Sequence, residues 1–235
     1  MFESGTEVMT EIEQAPANVA DTEFQTARRA MVNSQLRPND VNDPVIIGAM
    51  AVTPREHFVS EERQASAYID RAVPLADDRV LNPPLATGRM LTHANIVSSD
   101  TVLIIGAGTG YIAALLAPIV ESVVALEESD TLFAQLSENV GAIDNVSVQR
   151  GPLEKGCPKS APYSLIVIDG AVETIPAPLA RQLSDDGRLL CGQNEAGVTR
   201  LAIGRKVGDS ISLAHFADNE IAPLSAFARP AEYVF

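Results

Sequence analysis

Past Asp100, apolar β-branched runs alternate with stretches whose apolar residues recur at helical spacing. Residues 101–105, 123–126, 146–149 and 165–168 read as strands, and all but 146–149 run apolar at successive positions, as buried strands of a parallel sheet do. Residues 111–118, 130–140 and 178–183 read as helices. Asp186-Gly187 signals a turn before a strand that begins at Arg188. This alternation predicts an α/β fold, a doubly wound, mostly parallel sheet covered by helices. Residues 201–235 predict two or three further strands, of which 211–216 is the clearest.

Before Asp100 the pattern is helical. Phe24, Ala27, Ala30, Met31 and Leu36 fall near helical spacing from Thr22 until Pro38 stops the run. Asp43-Pro44 opens a second helix over 45–51, which Thr53-Pro54 closes. Residues 56–70 mix polar positions with Phe58 and Tyr68. Pro74, Asp77-Asp78 and Pro83-Pro84 then mark a long irregular stretch before a helix over 85–97. Stretches of that length in compact domains are functional or disordered. Residues 1–21 are polar and acidic and are expected to be a disordered extension. The remainder, 22–235, is expected to be one domain: a front segment 22–99, a core 100–200 and C-terminal strands 201–235.

Composition narrows the function. No apolar run approaches the ~20 residues of a membrane span, and the acidic N-terminus lacks the order of a signal peptide. A cytoplasmic location is therefore expected. The net charge of −14, without a Lys/Arg cluster, argues against nucleic acid or an anionic membrane as partner. Cys157 and Cys191 lack metal-ligand spacing and read as free thiols, so no metal is expected.

The motif that carries chemistry is Val102-Leu103-Ile104-Ile105-Gly106-Ala107-Gly108-Thr109-Gly110-Tyr111. Its glycines let the chain turn sharply out of a strand and let a ligand approach the backbone at the start of a helix. Glu127 ends the next strand, at the offset where a carboxylate accepts the two ribose hydroxyls of a nucleotide. The Gly-x-Gly-x-Gly spacing points to S-adenosylmethionine, which has no pyrophosphate to cradle. No Walker lysine follows. Gly106, Ala107, Gly108, Thr109, Gly110 and Glu127 are thus the expected cofactor-binding residues. Asp169, at the carboxyl end of a predicted strand, is either a cofactor or acceptor contact or a helix cap.

The sequence resembles the protein-L-isoaspartate O-methyltransferase family from about Met31 to Leu190. The likeness rests on Met31-Val32-x-x-Gln35-Leu36, Asp43-Pro44, Ala49-Met50 and Thr53-Pro54-Arg55-Glu56-His57-Phe58-Val59. It continues in Ala67-Tyr68-x-Asp70, Val73-Pro74-Leu75, the glycine motif with Glu127, and Leu179-x-x-Gln182-Leu183-x-x-x-Gly187. The resemblance implies the class I S-adenosylmethionine-dependent methyltransferase fold. It also implies transfer of a methyl group to the carboxylate of L-isoaspartyl residues in damaged proteins, with those proteins or peptides as partners. The family's acceptor loop reads Thr-Ile-Ser-Gln-Pro, and here the stretch is Val80-Leu81-Asn82-Pro83-Pro84. Asn82 takes the serine's place, and its amide is the expected donor to the reacting carboxylate. Ile104 stands where the family has a glutamate, and Pro152 where it has an aspartate. These departures leave two alternatives open: a methyltransferase for another acceptor, or a non-catalytic nucleotide-binding module. Arg55 and Glu56 are a candidate ion pair fixing the front segment. Tyr111 is expected to pack rather than react.

Overall fold

A computed structural model describes residues 19–229, with side chains from residue 22 onward. The expected extension 1–21 lies outside the described residues except for its last three positions, which open the first helix. That helix, α1 (Val19–Met31), passes into a π turn at Val32–Leu36 and a 3-10 turn at Arg37–Asn39. In α2 (Pro44–Val52) one Asp43 carboxylate oxygen accepts the N–H groups of Val45 and Ile46 at 2.9 and 3.0 Å. Those are donors that a helix start leaves without partners.

The stretch read as irregular contains a hairpin, β1 (Val73–Pro74) with β2 (Val80–Leu81). Its two strands are too short for an alternating pattern to show. Next, α3 (Pro84–His93) stops short of the predicted residue 97. Asn95 is left-handed there, and the carbonyls of Ala94 and Asn95 accept hydrogen bonds from the Arg188 guanidinium, so the chain is pinned out of the helix. Arg188 also pairs with Asp100, just ahead of the first sheet strand.

The sheet is built from β3 (Thr101–Ile105), β4 (Ser122–Glu127), β5 (Val146–Arg150), β6 (Tyr163–Val172), β7 (Leu183–Glu195), β8 (Val198–Val207) and β9 (Ser210–Asp218). Between them run α4 (Tyr111–Leu116), α5 (Asp130–Val140) and α6 (Ala177–Gln182). The seven strands lie in the order β5-β4-β3-β6-β7-β8-β9. All neighbours from β5 to β7 are parallel, and β8 and β9 close the sheet as an antiparallel meander. The predicted Asp186-Gly187 turn is a bulge within β7, where the pairing skips from Tyr163↔Leu183 to Leu165↔Arg188.

Both faces are buried, as the apolar runs require. Val102, Ile104, Val123 and Val167 join one core with Met31, Met50, Met90, Tyr111 and Leu136 from the first five helices. Leu103, Ile105, Leu126 and Ile168 join a second with Leu153, Leu179 and Phe227. Among the described residues no helix is long and apolar enough to cross a membrane.

Candidate functional site

Strand order reverses between β3 and β6, with β4 and β5 on one side and β7 onward on the other. Open α/β sheets bind ligands in the crevice at the carboxyl ends flanking such a point. Register fixes which residues meet there. Ile105 pairs with both Leu126 and Ile168. The next residue on each of the three strands therefore stands at one level: Glu127, Gly106 and Asp169. Motifs spread along the chain are in this way gathered at a single edge.

Gly106 and Gly110 bracket the loop that leaves β3, with φ of +71° and +102°. A Cβ on Gly110 would lie 2.9 Å from Leu136 Cδ1, and its φ is one that L-residues rarely adopt. The loop folds back so that the Gly106 and Ala107 N–H groups both donate to Leu126 O at 3.0 Å. The Thr109 hydroxyl donates to Phe58 O at 2.7 Å, so its proton is committed to the front segment. Tyr111 is buried and meets Phe58 edge-on, in keeping with a packing role.

Glu127 is fully buried. Its Oε2 accepts from Gly108 N at 2.8 Å, and its Oε1 accepts from the Glu128 and Ser129 N–H groups at 2.9 and 3.2 Å. The carboxylate thus ties the glycine loop to the start of α5. It has one further partner that sequence reasoning missed. Arg79, from the β1–β2 hairpin, places Nη1 3.1 Å from Oε1 and 3.3 Å from Oε2, while its Nη2 donates to Gly106 O at 2.9 Å. The signal in the sequence was slight, a lone arginine after Asp77-Asp78 and 48 positions from its partner.

Asn82 corrects an expectation. Its side-chain amide was expected to face an acceptor carboxylate, but the residue is buried and both ends of the amide are spent on the protein. Nδ2 donates to Asp169 Oδ1 at 2.8 Å and approaches Asp169 O at 3.2 Å, and Oδ1 accepts from Ala222 N at 3.0 Å. Burial demands partners for both polar atoms of the amide, and Asp169 and the Ala222 backbone supply them. Asp169 is correspondingly no helix cap. It lies inside β6 and keeps part of its surface open. Desolvation pushes its carboxyl above the ordinary range, while the Asn82 hydrogen bond and the charges of Arg79 and Arg55 pull the other way.

The expected Arg55–Glu56 pair is also replaced. Glu56 pairs with Arg28 at 2.9 Å and accepts the Tyr68 hydroxyl proton. Arg55 is fully buried, donates to Ala67 O at 2.7 Å and Asn82 O at 2.5 Å, and lies with its guanidinium carbon 4.7 Å from the centre of the Tyr111 ring. Neighbours in sequence point apart on this 3-10 turn, so each finds a different partner. A cavity of about 660 Å³ opens beside these elements, between Phe58, Leu75, Thr109 and Glu138. Arg79, Glu127 and Asp169 do not line it.

The model of the protein-L-isoaspartate(D-aspartate) O-methyltransferase family matches residues 26–223. The chain belongs to this family. A protein-L-isoaspartate O-methyltransferase of Roseiflexus castenholzii is 33% identical over 204 residues, 86% of this chain and 93% of its own length. One from Methanoregula boonei is 38% identical over 165 residues, 69% of this chain and 76% of its own. A solved protein-L-isoaspartate O-methyltransferase superposes with a TM-score of 0.73 at 22% identity, over 84% of this chain and 66% of that one. A Plasmodium falciparum structure named for a beta-aspartate methyltransferase, solved with S-adenosyl-L-homocysteine, gives 0.69 at 16% identity, over 86% of this chain and 98% of its own. The two structures establish the shared class I methyltransferase fold.

The family's front-segment residues have plain structural work in this member. Asp70 Oδ1 accepts Leu85 N at 3.0 Å in the first turn of α3, where Pro83 and Pro84 have no N–H to offer. Gln35 donates to Tyr68 O at 2.9 Å. Together with the Arg28–Glu56–Tyr68 cluster, these contacts fix the segment that carries Asn82 to the crevice.

Proposed function

We propose that this chain is an S-adenosylmethionine-dependent methyltransferase that esterifies the carboxylate of L-isoaspartyl residues in damaged proteins. The observation that carries the reading is the level set of Glu127, Gly106 and Asp169 at the reversal of strand order, in a chain whose family acts on that group. The residues fit an adenosyl ligand. Glu127 is a buried carboxylate at the end of β4, and the glycine loop at the end of β3 has no Cβ at Gly106 or Gly108 to keep a ligand from the backbone, while Gly110 makes room for Leu136 of α5. Glu127 would hold the ribose and Gly106–Gly110 the amino-acid side.

When bound, S-adenosylmethionine supplies a methyl group activated on a sulfonium sulfur. An isoaspartyl carboxylate is ionised at neutral pH, so the chain need not provide a strong general base. Its residues are left the tasks of alignment and exclusion of water. Asn82 serves by position: it locks the acceptor loop to Asp169 on β6 and to the backbone of Ala222. Arg55 secures the same loop from beneath, through Asn82 O.

The test is incubation with labelled S-adenosylmethionine and an isoaspartyl peptide, with the matched aspartyl peptide as control. A base-labile methyl ester on the isoaspartyl peptide alone is expected. No ester above that of a Gly106→Val, Gly108→Val variant would refute the reading. Labelling of extract proteins without labelling of the peptide would reassign the acceptor.

A further inference from the structure

The side chain of Arg79 occupies the front of Glu127. Its Nη1 spans both carboxylate oxygens, and a Cβ on Gly106 would sit 2.9 Å from its Nη2, so the guanidinium rests on the glycine loop itself. The hairpin that carries it is moored by Asp77, whose carboxylate accepts the hydroxyl proton of Ser129 at the start of α5. The hairpin tip is locally costly, since Asp77 and Asp78 both have positive φ, at +52° and +55°.

A carboxylate offers about four acceptor positions, two on each oxygen. Here Oε1 takes Glu128 N, Ser129 N and Arg79, and Oε2 takes Gly108 N and Arg79. The three backbone donors leave one position, on Oε2, and Arg79 covers it, so a ribose hydroxyl is accepted there only when Arg79 gives way. The backbone donors belong to the fold and cannot leave without dismantling the loop, whereas Arg79 can. Nucleotide and guanidinium therefore compete for the same carboxylate.

The released guanidinium stays close to the chemistry, because Arg79 precedes Asn82 by one short strand. An anionic acceptor entering beside Glu127 meets like charge and needs a cation. The buried arginines of the described residues are held elsewhere: Arg55, fully buried, by Ala67 O and Asn82 O with its Nη1 unpartnered, Arg28 by Glu56 and Arg188 by Asp100. A planar fork also matches a carboxylate with two parallel bonds, which a lysine cannot do.

We propose that Arg79 is the specificity-determining cation of the acceptor site: it guards Glu127 until the donor's ribose claims that carboxylate, and once freed it binds the acceptor carboxylate. The acceptor half rests on the function proposed above, whereas the release half does not. The arrangement imposes an order, donor before acceptor.

The full-length chain and its Arg79→Ala and Arg79→Lys variants would be titrated with S-adenosylhomocysteine by calorimetry. KM and kcat for an isoaspartyl peptide would then be measured at saturating donor. With its internal competitor removed, Arg79→Ala is expected to bind S-adenosylhomocysteine about fivefold tighter. Its peptide KM is expected to rise about 30-fold, with kcat changing far less. Arg79→Lys keeps the charge and is expected to recover part of the KM. Unchanged or weaker S-adenosylhomocysteine binding by Arg79→Ala would overturn the release half, and an unmoved KM would overturn the acceptor half. A wild-type chain that binds S-adenosylhomocysteine but methylates no isoaspartyl peptide would defeat the assignment of substrate, with the titration still deciding whether Arg79 competes with the nucleotide.

Discussion

Replacing Glu127 with glutamine changes one oxygen to an amino group and removes a charge, yet the structure makes it a severe substitution. The side chain is fully buried, and its two oxygens face different donors, Gly108 N on one side and the Glu128 and Ser129 N–H groups on the other. An amide has one oxygen. Whichever way it lies, its amino group confronts at least one of these backbone donors. An orphaned buried donor costs about 1–3 kcal/mol, and weakening the remaining charge-assisted bonds adds about 1 kcal/mol. The sum, roughly 2–4 kcal/mol, corresponds to a fall in Tm of about 5–15 °C for a chain of this size. Binding of S-adenosylhomocysteine loses an ionised acceptor for the ribose and should weaken about 30-fold or more. Release of Arg79 would return only about a factor of five. Thermal unfolding followed by circular dichroism, together with calorimetric titration, measures both. A Glu127→Gln variant that melts within a degree of wild type and binds the ligand within threefold would refute the whole account of this carboxylate.

Two other outcomes follow from the same region. Gly110→Ala combines a φ of +102° with a 2.9 Å approach to Leu136 Cδ1, whereas at Gly108 the φ is +56° and the new Cβ would lie 3.6 Å from Leu75 Cδ1. Alanine should therefore cost about 2–4 kcal/mol at Gly110 and about 1–2 kcal/mol at Gly108. Denaturant melts giving the reverse ranking would contradict the geometry. Asp169→Asn tests the raised carboxyl pKa. A carboxyl with its folded pKa raised contributes stability in its protonated form below the unfolded value and loses it as pH rises through the folded one. The variant, permanently neutral, should gain on wild type between about pH 4 and pH 8. A stability difference that is the same at both ends of that range would show that the surroundings leave Asp169 unperturbed.

Much of the fold is legible in the sequence because its signals are local. Apolar runs at 101–105 and 165–168 give buried strands, and the glycines after Ile105 sit beside the strand they terminate. Glu127 is readable because its offset from the glycine loop follows from one strand–helix–strand unit. The rest of the site comes from pairings that no local window contains. Asn82 meets Asp169 87 positions away, and Arg79 meets Glu127 48 positions away. The resemblance put Asn82 in a serine's place, and burial decided what its amide does. Arg55 and Glu56 show the same limit, since adjacency suggested a pair and a single 3-10 turn sends them to separate partners.

The bond between Asn82 Oδ1 and Ala222 N spans 140 positions. It sets a timetable for synthesis. Domains form as the chain emerges, amino end first. The nucleotide side of the crevice, made from β3, the glycine loop and β4, takes its remaining support from α5, where Asn139 donates to Thr109 O, and from neighbouring strands. The acceptor side cannot be locked until Ala222 has left the ribosome. A nascent chain can thus assemble the donor half before the half that chooses what is methylated, and the last stitch closes the loop only on a nearly finished protein.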